Sequence, residues 1–259
     1  MIRITFLLRK KKELSADEFY RYWREEHGPL VASFARKLNM LRYVQVHTMH
    51  DEPANAAMGA ARGGMEPVYD GVAEVWFENR EALVAATSTA TGRAAGAALV
   101  DDESKFIDLA QSPLWLGHEY PQVNPTPENI VATPRSGYVK LYFPLRARAE
   151  LTEAAMQRYW YSNHGPLIRR QAAGSGIARY VQVHRVEDEI ESDLRKARGT
   201  QVDAYAGHAE LWFDRGVTSV VTPERKLANQ RAIEDEAKFI DFKRSTMWLA
   251  KEHVFVDHR

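Results

Sequence analysis

The 259-residue sequence contains no cysteine. That removes disulfides, thiolate nucleophiles and cysteine-ligated metals together, and fits a reducing compartment. Neither sign of charge is in excess: 35 Lys and Arg balance 35 Asp and Glu. A nucleic-acid binder would show a basic surplus or stripe, so nucleic acid is not an expected partner. No uninterrupted apolar run approaches the roughly 18 residues needed to cross a bilayer, so no membrane partner is expected either. The opening run from Met1 to Arg9 is too short and too charged for a signal peptide and reads as a strand. These absences together predict a soluble, cytoplasmic protein. The sequence also lacks a Gly-x-Ser-x-Gly elbow, a phosphate loop and a Gly-x-Gly-x-x-Gly fingerprint.

What the chain has instead is repetition. The run Trp23 to Leu30 (WREEHGPL) returns as Trp160 to Leu167 (WYSNHGPL), and Tyr43 to His47 (YVQVH) returns unchanged as Tyr180 to His184. Both pairs sit at one offset, 160 − 23 = 180 − 43 = 137. Tyr69 to Phe77 pairs with Tyr205 to Phe213, and Glu103 to Asp108 with Glu236 to Asp241, at offsets of 136 and 133. Four colinear blocks with small drifts identify a duplicated domain whose length changes lie in the connections. A self-similar pair can build within one chain what a homodimer builds from two. With 45% hydrophobic and 27% charged residues, each half has ample material for a core.

Local signals give each half the order βαββαβ. Residues 2–9 alternate and stop at Lys10, Lys11 and Lys12. Ser15 to Glu18 is a capping box opening a helix, with Phe19, Tyr22 and Trp23 on one apolar face. Gly28-Pro29 is expected to stop that helix just after His27. Leu41 to His47 and Val68 to Phe77 read as strands joined by a long loop rich in Ala, Gly and Met. A weak helix from about Glu81 and a last strand over Lys105 to Leu109 complete the unit. The expected domains are residues 1–118 and 137–259. Between them residues 119–136, with Pro121, Pro125, Pro127 and Pro134, form a semi-extended linker or a strap lying across the second half.

A βαββαβ unit makes an antiparallel sheet with both helices on one face, leaving the other to be covered. The expected class is α+β: two ferredoxin-like units packed sheet to sheet as an intrachain pseudo-dimeric α+β barrel. Strand alternation sorts the faces. Gly71, Ala73, Val75 and Phe77 suit the helix side, as do Ile4, Phe6 and Leu8. Asp70, Val72, Glu74 and Trp76 face away, with Ala206, His208, Glu210 and Trp212 in the second copy, and Lys140 and Tyr142 beside them. Grouping by polarity adds Gln45, His47, Gln182 and His184 to that inward face. If the sheets close, these groups line a small-molecule pocket; if not, the Glu and Gln side chains lie in water. His47 and His184 end their strands, where a loop hydrogen bond is the plainer role. Trp23 and Trp160 read as helix-packing core residues.

These residues resemble the EthD domain family: the run from Trp23 to Leu30, then Tyr43 to His47, Tyr69 to Phe77, and Asp102-Glu103 with Phe106 to Asp108. The resemblance covers nearly all of each half. It implies a ferredoxin-like unit of the dimeric α+β barrel superfamily, here in tandem. That superfamily includes cofactor-free monooxygenases, isomerases, polyketide cyclases and dehydratases, and haem-dependent enzymes. The copies differ where Asp70 becomes Ala206 and Val72 becomes His208, which marks the expected seat of substrate choice.

The chemistry left open is general acid–base catalysis. Burial raises a Glu pKa toward neutrality, where it is most useful. The expected acid/base groups are His164 and His27, fixed at the pocket mouth by Gly-Pro or else simply capping their helices, with Glu210 and Glu74 beside them and His208 in the second copy. Expected substrate contacts are His184, His47, Gln182, Gln45, Trp212, Trp76, Tyr142 and Asp70. His184, His208 and Glu210 are metal-type residues, but their spacing matches no metal motif, so neither metal nor other cofactor is expected. Haem, which the resemblance admits, would have several histidines to choose from. The leading reading is a cofactor-independent lyase of dehydratase or decarboxylase type acting on a hydrophobic, aromatic or phenolic small molecule. The alternatives are a non-catalytic carrier and a cofactor-free monooxygenase. A homodimer of such tandem pairs is compatible with the sequence.

Overall fold

The computed structural model describes residues 1–126 and 130–259; of the expected linker, Pro127 lies outside the described residues. The first half contains strands β1 (Ile2–Leu8), β2 (Arg42–Thr48), β3 (Gly71–Phe77) and β4 (Leu114–Val123). Its helices are α1 (Ala16–Tyr22), α2 (Gly28–Phe34), α3 (Pro53–Ala60), α4 (Arg80–Ser88) and α5 (Ala90–Phe106). The second half contains β5 (Tyr138–Leu145), β6 (Ile177–Val186), β7 (Gly207–Asp214) and β8 (Trp248–Asp257), with α6 (Glu153–Tyr159), α7 (Gly165–Ser175), α8 (Glu189–Arg198), α9 (Arg215–Thr218) and α10 (Pro223–Glu236). No helix among the described residues is long and apolar enough to cross a membrane.

The eight strands close into one antiparallel barrel in the order β1–β3–β2–β8–β5–β7–β6–β4. The halves meet edge to edge, through ladders between β2 and β8 and between β4 and β6. Closure by hydrogen bonding removes the free edges that two merely stacked sheets would leave. The helices lie outside, over two apolar clusters, one per half. A third cluster, with Leu7, Val44, Trp76, Trp115, Tyr142 and Trp248, fills the barrel interior.

Three local expectations are corrected. Gly28-Pro29 and Gly165-Pro166 do not stop their helices. In each copy the chain passes through a five-residue π-turn, Trp23–His27 or Trp160–His164, and continues as α2 or α7. Proline falls in the first turn of the continuing segment, where its missing N–H costs nothing. The last strand of the first half is β4 rather than Lys105 to Leu109. The apolar Phe106 and Ile107 are buried at the end of α5, where Ile107 N–H still reaches the Glu103 carbonyl at 2.9 Å. Finally, β4 runs on through Val123 and pairs Glu119 with Val183 and Pro121 with Val181. The start of the expected linker is therefore a strap across the second half. Its register slips between Pro121 and Val123, where a residue without N–H breaks the ladder.

The connections between the middle strands are exchanged between halves. Helix α3 lies over the second half and α8 over the first, each clipped by an arginine reaching a buried glutamate on the partner half's long helix. Arg62 Nε donates to Glu236 at 2.8 Å and Arg198 Nε to Glu103 at 2.7 Å.

Candidate functional site

The repeated WxxxHGPL and YVQVH runs meet beneath the helices and build the same net twice. In the second half Trp160 Nε1 donates to the Tyr180 hydroxyl at 3.0 Å, and Gln182 Nε2 donates to the same hydroxyl and to the Trp160 carbonyl, each at 3.0 Å. His184 stacks on Trp160 with centroids 4.6 Å apart and bonds Gln182 Oε1 at 3.0 Å. In the first half Trp23, Tyr43, Gln45 and His47 repeat every contact. The Trp160 and Trp23 carbonyls also accept the π-turn's own bond, from the Gly165 and Gly28 amides, so the glutamine ties the turn to its strand. The net thus fixes the turn whose last residue is the histidine.

That places Gln45, His47, Gln182 and His184 on the helix side, correcting the face expected for them. The ladder pairs Gln45 with Ala73 and Gln182 with Ala209, and directly opposed residues share a face. Polarity misled here: Val44 and Val46 are the inward residues of β2. Burial pushes the His184 pKa down to about 4, so the ring is a neutral packing element.

Each turn-end histidine has a carboxylate partner. His164 Nδ1 meets Asp235 Oδ2 at 2.9 Å and His27 Nδ1 meets Asp102 Oδ2 at 2.8 Å. Burial would raise the Asp235 pKa, yet hydrogen bonds from His164, Tyr159 and Lys238 hold it well below the ordinary carboxylate range. An ionised carboxylate only accepts, so Nδ1 carries a proton and points at it, leaving Nε2 as the ring nitrogen free to exchange one. A Phe ring packs against each imidazole, Phe239 at 5.3 Å and Phe106 at 5.1 Å.

The two histidines differ in what they face. His164 lines a cavity of about 660 Å³ between the outer face of the second half's sheet and its helices. Its floor is apolar, with Leu141, Phe143, Leu211 and Phe213, and α3 from the first half roofs it with Ala54, Ala57, Met58 and Ala61. In the first half the matching space holds larger side chains. Leu38, Met40 and Leu99 belong to its core and the half-buried Phe34 packs against it, where the repeat positions of the second half carry Ser175, Ile177, Ala232 and Gln171. Ile190 and Leu194 of α8 press in from above. The two copies thus differ in what packs near the histidine: larger apolar side chains in the first half and a cavity in the second.

The inward face holds a separate, closed structure. Arg3 pairs with Glu74 at 3.2 Å, with Glu119 at 2.9 Å, and with Glu210 and His208 more closely still. Lys140 pairs with Glu74 and Glu210 at 3.0 Å and with Glu252 at 3.3 Å. The pseudo-twofold is visible in the tryptophans: Trp76 Nε1 donates to Glu119 at 2.6 Å and Trp212 Nε1 to Glu252 at 2.8 Å. Glu74, Glu210, His208, Trp76, Trp212 and Tyr142 are buried here as the strand faces predict, but on the opposite side of the sheet from His27 and His164. The expected acid/base group of His and Glu is therefore not assembled. Val72 and His208 lie inside too, so that divergence does not line the cavity. Asp70 sits beyond the start of β3, bonded to the Lys10 amide at 2.9 Å and facing His50 at 3.3 Å, outside the barrel interior.

Glu74, His208 and Glu210 converge as a metal-type triad. Arg3 Nη2 and Lys140 Nζ already occupy its centre, so a divalent ion would have to displace two cations. His184, on the other face, cannot join it. Burial pushes the His208 pKa down to about 3, with Arg3 adding to the effect. Burial, then the charge of Glu210, pushes Glu74 up to about 8. The folded state therefore keeps a proton that the unfolded chain releases above about pH 4.5, and this group's stabilisation is lost as pH rises through 8. The unfolding free energy should fall between pH 5.5 and pH 8, by up to about 1.4 kcal/mol per pH unit from this proton, and Glu74→Gln should flatten the slope. An unchanged slope in that variant would show that the proton is held elsewhere.

The EthD domain matches residues 11–110 and 148–243. The chain belongs to the EthD domain family, in tandem. No curated protein matches the sequence. Among solved structures, this EthD domain protein is similar to a candidate monooxygenase from Fusobacterium nucleatum, with 6% identity, 98% of this chain and 93% of that chain covered, and a TM-score of 0.53. It is also similar to a candidate monooxygenase from Lactobacillus acidophilus (11% identity, 99% and 95% covered, TM-score 0.47) and to a candidate chlorite dismutase (8%, 97% and 95%, 0.48). At such identities the first likeness shows the barrel fold and nothing of its chemistry.

Of the expected site residues only His164 lines the cavity. Asp235, Arg62, Glu236, Arg225 and Asn229 were missed, though the repeat carried the signal: Asp235 aligns with Asp102, each partnering the histidine of its half. Among the described residues His164 is also the one histidine lining the cavity that would hold a haem iron, and Arg225 would pair with a propionate. Bound haem would supply redox chemistry.

Proposed function

We propose that the second-half cavity is the active site of a cofactor-independent lyase acting on an apolar, aromatic or phenolic molecule, each half being one ferredoxin-like unit of an intrachain pseudo-dimer. One observation carries this: a histidine oriented by Asp235 at the wall of a large apolar cavity. In the reaction the geometry supports best, His164 Nε2 takes the proton from a carbon next to a carbonyl and the electron pair moves onto the carbonyl oxygen. As the enolate collapses, a β-hydroxyl leaves with the proton returned by the imidazolium, giving an enone and water. Apolar walls keep bulk water from quenching the enolate. Glu74, Glu210 and His208 take no part and serve the barrel.

The test is a panel of β-hydroxy aryl ketones followed by enone absorbance, with and without oxygen. Enone formation at equal rates in both supports the lyase. Oxygen consumption coupled to product would replace it with the monooxygenase, and tryptophan quenching without turnover with the carrier. A Soret band developing on hemin titration, lost in His164→Gln, would assign the histidine to haem instead.

A further inference from the structure

Three arginines line the cavity, and two of them are neutralised. Arg62 is paired with Glu236 at 2.7 Å and Arg215 with Glu52 at 2.7 Å. Arg225 is different. Its Nη1 donates to the Val220 carbonyl, its Nε is buried without any partner, and no carboxylate pairs with it among the described residues. A guanidinium at the wall of a largely apolar cavity, with no carboxylate to offset it, leaves its charge open to an anion brought into that cavity.

The duplication shows that this cation belongs to the half with the cavity. Arg225 lies 133 positions after Gly92, and Asn229 the same distance after Gly96. At Gly92 a Cβ would fall 1.7 Å from the Ala86 carbonyl, so the first half has no room for any side chain there. A charged and an amide side chain thus stand at two positions that are bare in the first copy. They also stand apart from the histidine. At 1.5 Å of rise per residue, Arg225 and Asp235 are on the order of 15 Å apart along α10.

We propose that the cavity takes an elongated hydrophobic anion whose carboxylate pairs with Arg225 while its reacting carbon lies at His164. This rests on the reading of the cavity as the active site. It also narrows the chemistry. A carboxylate held by a guanidinium is stabilised as the anion in the ground state, which opposes its departure as carbon dioxide. The anion is then a retained handle, and the reaction at the far end is proton removal and loss of water rather than decarboxylation of that group. An Arg fork suits a carboxylate through paired N–H donors, where an ammonium offers a point charge.

The probe is anthracene-2-carboxylate, three fused rings with the charge at one end, compared with its methyl ester by fluorescence titration of the whole protein. The wild type should bind the acid more tightly than the ester. Arg225→Gln should weaken the acid by roughly 10- to 100-fold, the worth of a hydrogen bond to a charged group, and leave the ester nearly unchanged. Arg225→Lys should recover part of the loss, which guards against a misfolded variant. Arg158→Gln, which removes an exposed charge of the same half, should change neither probe. Equal affinity for acid and ester, an acid affinity untouched by Arg225→Gln, or exclusion of both probes would overturn the anion site. Those outcomes leave dehydration of a neutral ketone standing. Charge-selective binding without turnover of any panel ketone would sink the lyase and keep the anion site.

Discussion

Replacing His164 by glutamine is expected to lower turnover by about two to four orders of magnitude, the usual share of a positioned acid–base group, while His27→Gln leaves it unchanged. The comparison is internally controlled. Both histidines end a π-turn, both meet an aspartate at 2.8–2.9 Å, and both pack on a Phe ring. Any loss arising from the turn, the carboxylate or the local helix should therefore appear in both variants, and thermal melting should move similarly. What separates them is the space in front of the ring: a cavity of about 660 Å³ for His164, and for His27 a half whose core includes Leu38, Met40 and Leu99 with Phe34 packed against it. Asp235→Asn should behave as a positioning variant, since the amide no longer demands the Nδ1–H tautomer; it should lower kcat while KM changes little. Equal losses in His27→Gln and His164→Gln would mean that the histidine pair is structural in both halves.

Much of this was legible beforehand, and the failures have physical causes. The four repeated blocks specified the tandem units and the barrel, because duplicated strands with matching alternation close on each other. The faces of β1, β3, β5 and β7 were legible from alternation alone, since small and aliphatic residues there oppose larger inward groups. The face of β2 was not. Gln45 and His47 were correctly grouped, but their side depends on register against β3, which no single strand contains, and on a π-turn whose Trp23 carbonyl accepts from the Gln45 amide. The seat of the cavity escaped for a related reason. It is set by differences between the copies outside the repeated blocks: Leu38 against Ser175, Leu99 against Ala232, and Gly92 against Arg225. A repeat invites reading what it keeps, whereas this cavity lies in what one copy has discarded.

Arg3→Met should destabilise the fold by about 3–5 kcal/mol, the range for removing one partner from a buried ionic cluster. Arg3 is 1% exposed and pairs with Glu74, Glu119 and Glu210, while its guanidinium lies 4.8 Å over the Trp76 ring. Without it, Lys140 alone faces Glu74, Glu210 and Glu252, and the barrel holds uncompensated negative charge. Methionine fills much of the volume, so the loss reports charge rather than a cavity. The cluster's chemistry predicts the form of the rescue. Adding Glu210→Gln removes a carboxylate that has lost its cation, so the double variant should be more stable than the sum of the single losses by about 0.5–3 kcal/mol, as for residues of one network. Raising the pH should widen the gap between Arg3→Met and wild type, because the Glu74 proton then leaves a site with one cation fewer. Strictly additive losses, measured by urea denaturation at one pH, would show instead that Arg3 acts through its packing on Trp76.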